Sequence, residues 1–450
     1  MKVVVVGLGK VGRTIAELLS KENHDIIVID TRAEMVEDTV NKFDVQGIVG
    51  SGVEKETLMN ADVAGTDFFI ACTAHDEVNI ICCVLAKKFG AAHTVARIRD
   101  PEYYREMREM KTELGISHVL NPEYETAKEI EQRLKFPSAT NIESFIGSKI
   151  HMVELAVGEN NPLIGKTVME IDGMNESKVL FAMIKRGDTA FIPHGDCEIE
   201  QGDLINIVSN DIEIEKFTRL TGIYKSPVKS AFIVGGGAIG YYLAQRLLKS
   251  GISVKILESK PERCTFLANE LLGATVLKGD GTDHSVLDEE RFYDSDSFIT
   301  LTGMDEENVI VSLYAIQNGI NKVVTKIDRE AITKMVNLLG LDATVSPRSI
   351  VANRVLRYVR KHQDESGGNV NKLYRIYDNV EALELTPGEK FPCFDTPLKN
   401  MKIKKGVLVC GIFRNEEFIL PNGNTEIKKG DRVLIVTTLP NVSDLKQIVK

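Results

Sequence analysis

One glycine-rich turn occurs twice in this chain, each time in the same setting. Gly7-Leu8-Gly9-Lys10-Val11-Gly12 follows the apolar run at residues 3–6, and Gly235-Gly236-Gly237-Ala238-Ile239-Gly240 follows a similar run at residues 230–234. The spacing from Gly7 to Gly235 is 228, and the same spacing carries Asp30 to Glu258. A single G-x-G-x-x-G is common. An ordered pair with matching strand, helix and acid implies two dinucleotide-type folds in one chain. The glycines fall where such a fold needs a tight turn, close approach of backbone to phosphate, and a helix packed on a strand.

The residues around each loop alternate between strand and helix patterns. In the first copy, strands are expected at 3–6, 26–29, 46–49, 68–72, 93–98 and 118–120, with helices at 11–20, 35–43, 78–89 and 101–114. That alternation is the pattern of a parallel sheet covered by helices on both faces. The second copy follows in order. Asp305-Glu306-Glu307-Asn308 answers Asp76-Glu77-Val78-Asn79, and Val345-Ser346-Pro347 answers Leu120-Asn121-Pro122.

Each copy is followed by a smaller β-rich segment, and this segment repeats too. Strands are expected at 150–157, 179–185 and 204–209. The run from Ile192-Pro193-His194-Gly195 to Gly202-Asp203 reappears as Leu420-Pro421-Asn422-Gly423 to Gly430-Asp431, again 228 residues later. Asn161-Pro162-Leu163-Ile164-Gly165-Lys166 is set against Phe394-Asp395-Thr396-Pro397-Leu398-Lys399, a poor match. The expected fold class is therefore α/β: two doubly wound parallel-sheet domains, each followed by a small α+β module. The domains are expected at 1–136, 141–222, 229–362 and 371–450, with linkers at 135–142, 222–228 and 362–369.

Bulk properties narrow the function. The chain has 450 residues, 43% hydrophobic and 27% charged, with a formal net charge of −10. An acidic surface disfavours a general nucleic-acid binder, which needs phosphate-facing cations. Seven scattered Cys without a C-x-x-C, and no signal peptide, read as free thiols in a reducing cytoplasm. Cys82 and Cys83 read as core residues. No apolar run approaches the ~18–20 residues that span a bilayer.

At each loop, backbone N–H groups and a helix N-terminus are expected to face a diphosphate, with Lys10 adding charge at the first. Asp30 and Glu258 are expected to accept from a ribose diol, which favours NAD or an unphosphorylated adenosine ribose over NADP. Thr31 and Arg32 stand beside Asp30, and an Arg there can accommodate a 2′-phosphate. The remaining rim positions are Gly50, Ser51, Thr73, Ala74 and Arg97 in the first cleft. In the second they are Gly279, Asp280, Thr302, Gly303 and Lys326. Arg97 and Lys326 occupy equivalent strand ends, where each can meet a phosphate or pair with a neighbouring acid. Asp76-Glu77 and Asp305-Glu306 suit helix starts, as caps or as ligand groups. No catalytic set emerges: none of the eight His has metal-site spacing, and the counterpart of His75 is Met304. The β-rich modules, under ~100 residues each, are small for a dehydrogenase substrate domain.

The order of these parts resembles the TrkA family, the regulatory subunits of Trk-type potassium uptake systems, built from two tandem RCK (KTN) units. The resemblance rests on the start at Met1 to Gly12, on Thr73-Ala74-His75-Asp76-Glu77-Val78-Asn79, on Val95-Ala96-Arg97-Ile98-Arg99, and on the Pro193 to Asp203 run and its copy at Pro421. It spans essentially the whole chain. It implies two Rossmann-like domains, each with an RCK C-terminal module. It also implies binding of NAD(H) and of ATP or ADP, no catalysis, and a homotetrameric ring beneath an integral-membrane Trk-type channel subunit, on the cytoplasmic face. The residues alone leave two other readings open: an NAD-dependent oxidoreductase with a duplicated fold, and a soluble nucleotide sensor with a non-channel partner. The two copies differ at Ser51 against Asp280 and at Arg97 against Lys326, so the two sites are expected to differ in ligand.

Overall fold

The computed structural model describes all residues except 147–148, 175–176, 337–340, 342, 363–369, 378, 441 and 450. The chain forms two compact units: Met1–Glu131 with Lys229–Val359, and Gln132–Val228 with Arg360–Lys450.

In the first unit, six strands run β1 (Lys2–Val6), β2 (Asp25–Asp30), β3 (Gln46–Val49), β4 (Phe68–Ala71), β5 (His93–Arg97) and β6 (His118–Leu120). Their order is β3-β2-β1-β4-β5-β6, all parallel. Successive side chains leave a strand on opposite faces. Val3, Val5 and Phe68 therefore join one core cluster, while Val4, Val6 and Phe69 join another on the far side. Burial on both faces explains why β1 reads as four consecutive valines rather than an alternation. Cys82 and Cys83 are fully buried, as expected.

In the other unit, an antiparallel sheet contains β7 (Asn141–Phe145), β8 (Ile150–Ala156), β9 (Leu180–Arg186), β10 (Thr189–Phe191) and β11 (Leu204–Ser209) in the order β10-β9-β11-β8-β7. The second half repeats both sheets. β12 (Ser230–Val234), β13 (Ser253–Glu258), β14 (Thr275–Lys278), β15 (Ser297–Thr300), β16 (Lys322–Lys326) and β17 (Thr344–Val345) pair in parallel as β14-β13-β12-β15-β16-β17. β18 (Val370–Tyr377), β19 (Val380–Leu385), β20 (Val407–Arg414), β21 (Glu417–Ile419) and β22 (Arg432–Thr437) follow as β18-β19-β22-β20-β21.

The two parallel sheets are joined by an exchange of helices. From the helix Pro347–Lys361, Val351, Val355 and Val359 enter the core cluster of the first sheet. Tyr358 stacks on His118 at 4.9 Å and meets Phe68 edge-on at 5.8 Å. In return, Tyr124 of the helix Pro122–Lys135 meets Tyr242 edge-on at 5.5 Å, and Arg246 Nε donates to Glu131 Oε2 at 2.7 Å. In the other unit, Phe145, Met152 and Met183 share one cluster with Ile376, Ala382 and Leu434, so the two modules also pack on each other.

The repeated Gly-Asp turn has a structural cause. Asp203, fully buried, accepts two hydrogen bonds from Arg186 at 2.9 and 2.8 Å and one from the Glu200 N–H at 2.9 Å. Asp431 does the same with Arg414, at 2.8 and 2.7 Å, and the Lys428 N–H at 2.7 Å. A buried carboxylate must be paired in this way.

Three expectations change. The helix Pro122–Lys135 was not foreseen as an element, and β7 begins inside the stretch 135–142 expected to be a linker. The set Asn161 to Lys166 matches Phe391 to Thr396 rather than Phe394 to Lys399. Gly165 N–H donates to Ile199 O at 2.9 Å, and Asp395 N–H donates to Ile427 O at 3.0 Å, which fixes the register. Gly165 and Asp395 both have positive φ, +77° and +52°, so the turn survives although the residue types do not. The expected linker at 362–369 lies, beyond His362, outside the described residues.

Candidate functional site: two glycine-rich clefts

Both loops sit where the strand order reverses, between β1 and β4 and between β12 and β15. That crevice is where open α/β sheets hold ligands. The glycines divide by what requires them. Gly7 has φ +92°, and a Cβ on it would lie 2.7 Å from Thr73 N. A Cβ on Gly12 would lie 1.9 Å from Gly7 O, and one on Gly240 2.3 Å from Gly235 O. These positions are glycine because the chain's own backbone leaves no room. A Cβ on Gly9 or Gly237 would meet nothing within 4 Å. Both cap the N-termini of the helices Lys10–Ser20 and Ala238–Lys249.

The acids end their strands as expected. Asp30 is buried and accepts from Leu8 N–H at 2.7 Å, from Arg32 N–H at 3.0 Å and from Arg32 Nε at 3.3 Å. Burial alone would raise its carboxyl, but these donors outweigh it and hold Asp30 below the usual carboxylate range. Glu258 accepts from Gly236 N–H at 2.8 Å and Lys260 N–H at 3.0 Å. Each acid thus ties its strand end to the glycine loop.

The rim residues fall into two groups. Asn79 accepts from Thr73 N–H at 2.8 Å and donates to Arg97 O at 2.9 Å. Asn308 does the same with Thr302 N–H at 2.9 Å and Lys326 O at 3.0 Å. Asp76 accepts from the N–H groups of Arg99 and Asp100, and Asp305 from those of Asp328 and Arg329. The Asp-x-x-Asn pairs therefore fasten helix starts to strand ends. Gly50 and Gly279 N–H each bond the carbonyl of the strand-end acid at 3.0 Å. Asp280 is engaged in its own turn, accepting from Thr282 N–H at 2.9 Å, and Ser51 is the counterpart, 3.5 Å from Val53 N.

Arg97 and Lys326 share one kind of partner and differ in a second. Arg97 lies 3.9 Å from Glu123, too long for a hydrogen bond. Its Nε and Glu123 Oε2 are both buried without a hydrogen-bond partner. Burial pushes the Glu123 carboxyl up, against the pull of Arg97. Lys326 Nζ donates to Thr302 O at 2.6 Å, and Arg97 Nη1 reaches the equivalent carbonyl, Thr73 O, at 3.5 Å. Lys10 is largely exposed and stands 4.0 Å from Asp328. Thr31, Ala74, Val11, Gly303 and Ile239 belong to the same two loop sets by their place in the chain.

A cavity of about 650 Å³ opens over the second loop, lined by Gly235, Gly237, Glu258, Gly279, Asp280, Thr302 and Gly303. Its volume lies in the range of small-molecule sites. Arg263 and Phe266 also line it, and neither was picked out from the sequence. Among the described residues, no group of three or more His, Cys, Asp or Glu could hold a metal ion. No helix among them is long and apolar enough to cross a membrane.

A duplicated doubly wound fold with a paired set of glycine-loop clefts defines a tandem Rossmann-like protein. The TrkA-N domain model matches residues 3–122 and 231–347, and the TrkA-C domain model matches 152–222 and 383–450. The chain belongs to the TrkA family, with two tandem RCK units. Among its relatives, Trk system potassium uptake protein TrkA homolog 2 of Methanosarcina mazei is 32% identical, with 100% of each chain covered. The TrkA homolog of Archaeoglobus fulgidus is 31% identical, again over 100% of each. TrkA of Azorhizobium caulinodans is 29% identical over 100% of this chain and 99% of that one. Among solved structures, the GsuK channel bound to NAD shares the fold with a TM-score of 0.63 at 16% identity, over 99% of this chain and 78% of that one. The GsuK RCK domain does so with a TM-score of 0.62 at 15% identity, over 98% and 93%.

Proposed function

We propose that this protein is the cytoplasmic regulatory subunit of a Trk-type potassium uptake system. It binds NAD(H) and ATP or ADP in its two clefts and gates an integral-membrane channel subunit through a ligand-dependent change of shape. The carrying observation is the open space at Gly9 and Gly237. The chain's own packing permits a side chain at both positions, so the approach of a ligand's phosphates explains the glycines better than the fold does. The loop N–H groups and helix N-termini would hold the diphosphate, and Asp30 and Glu258 would meet the ribose. Lys10, Arg97 and Lys326 would supply positive charge.

The working assembly is a homotetrameric ring on the inner face of the membrane, held there by its partner, and it carries out no catalysis. Its functional divisions follow 1–136, 141–222, 229–362 and 371–450. Nucleotides that prefer one ring shape would bias the gate. Moving a gate from mostly shut to mostly open takes a ~10⁴-fold preference, about 5.5 kcal/mol, which several identical sites can share. The names of the TrkA relatives and the NAD-bound GsuK channel support this reading. Calorimetry of the purified protein with NADH and with ATP tests it: saturable binding of both is expected, and binding of neither would remove the proposal. Steady oxidation of NADH with a small carbonyl compound would point to an enzyme instead.

A further inference from the structure

The wall of the second cleft carries a layered arrangement absent from the first. The Tyr241 ring lies 5.6 Å from the Phe266 ring, tilted by 52°. The Arg263 guanidinium covers Phe266 at 4.4 Å. Arg263 Nε donates to Gly236 O at 2.7 Å, so the phosphate loop itself holds the guanidinium in place. Arg263 and Phe266 line the cavity beside Glu258. Burial draws the Arg263 cation below the usual arginine range, against the pull of Glu258.

We propose that Arg263 is the base-recognition residue of the second cleft, its guanidinium stacking on the purine of an adenine nucleotide whose ribose meets Glu258. This rests on the reading of the cleft as a nucleotide site. Two observations favour a base over a phosphate as the partner. Arg263 stands on the helix Pro261–Glu270 that follows Glu258, and its guanidinium bonds a loop carbonyl at Gly236 rather than sitting before the N–H groups of the helix start at Ala238, where a diphosphate belongs. A 2′-phosphate there would face the Glu258 carboxylate. A planar cation already layered on an aromatic ring is suited to stack a further flat group.

At a spacing of 228, Tyr241, Arg263 and Phe266 correspond to Arg13, Met35 and Asp38. Asp38 pairs with Arg13 at 2.6 Å and with Lys42 at 2.8 Å. Ion pairs thus replace the layered wall in the first cleft, and Met35, packed against the core, offers no planar group in place of Arg263.

The test is calorimetry of the full-length protein and of Arg263→Met and Arg263→Lys, with ADP and with inorganic pyrophosphate as probes. Arg263→Met is expected to weaken ADP about tenfold at one of two sites and to leave pyrophosphate binding unchanged, which also reports an intact loop. Arg263→Lys is expected not to restore ADP affinity, because an ammonium cannot present a planar face. Restoration by lysine, or an equal loss for pyrophosphate, would show a phosphate-binding charge and overturn the inference. Unchanged ADP affinity in Arg263→Met would overturn it while leaving the nucleotide reading intact. A wild-type protein that binds no ADP would remove both.

Discussion

The two clefts share a skeleton and differ in their walls. The tight glycine turn, the acid bonded to a loop N–H, and the Asn bridge between two strand ends occur in both with nearly identical distances. Around that skeleton, neighbouring residues have changed in sets. Leu8 stands where the second copy has Gly236, and at the facing helix position Thr39 stands where the second copy has Leu267. A Cβ on Gly236 would lie 2.4 Å from Leu267 Cδ1. Volume lost on one side of the contact is regained on the other, as close packing requires. Duplicates therefore drift by coupled exchange, and the parts that bind the backbone to itself are the parts that persist.

The largest effect should come from the shared skeleton. Gly12→Ala and Gly240→Ala each force a Cβ against a carbonyl oxygen, at 1.9 and 2.3 Å. A loss of about 3 kcal/mol or more is expected in denaturant unfolding, greater for Gly12. Gly9→Ala should leave stability nearly unchanged and weaken nucleotide binding. Equal stability losses at Gly9 and Gly12 would break the division between the two kinds of glycine.

A pH dependence should separate the two sheets. Burial, with Arg354 and Lys111 nearby, lowers His118 from the ordinary 6.5 to about 4. The folded state prefers the neutral ring, so its stabilising contribution is complete above about pH 6.5 and is lost as pH falls toward 4. The loss is up to about 3 kcal/mol. Residue 343, the counterpart in the second sheet, is Ala343 and does not titrate. Unfolding free energies across this range should fall less steeply in His118→Phe, and matching slopes would show that other groups dominate.

The coupled exchange around the loops predicts a smaller effect. Gly236→Leu should cost about 2 kcal/mol, and adding Leu267→Thr should recover much of it by recreating the pair found in the first copy. A double-mutant cycle with no coupling would mean that the two positions drifted independently.

Most of this architecture was legible in the sequence because its signals are local and repeated. Glycines that only glycine can occupy, strand-end acids and strands buried on both faces all leave residue patterns. The register of Asn161 was misread because the turn is held by backbone bonds and a left-handed residue, which Gly165 supplies in one copy and Asp395 in the other. Arg263 escaped because an arginine three residues before a phenylalanine is ordinary on a helix, and its place beside Gly236, Glu258 and Tyr241 shows only in space. Its counterpart Met35 offered a clue at the 228 spacing, but only once the cleft wall was known. The helix Pro122–Lys135 went unassigned for a related reason: partners that fix it, Tyr242 and Arg246, belong to the other copy.

That exchange of helices bears on the chain's history. Val351, Val355 and Val359 complete a core whose sheet is encoded more than two hundred residues earlier. A half-length chain would leave that surface bare unless it paired with a second copy. Gene fusion would then have changed the concentration dependence of an existing embrace, not created one. A polypeptide severed in the irregular stretch near Lys225 should accordingly stay together as two interlocked pieces.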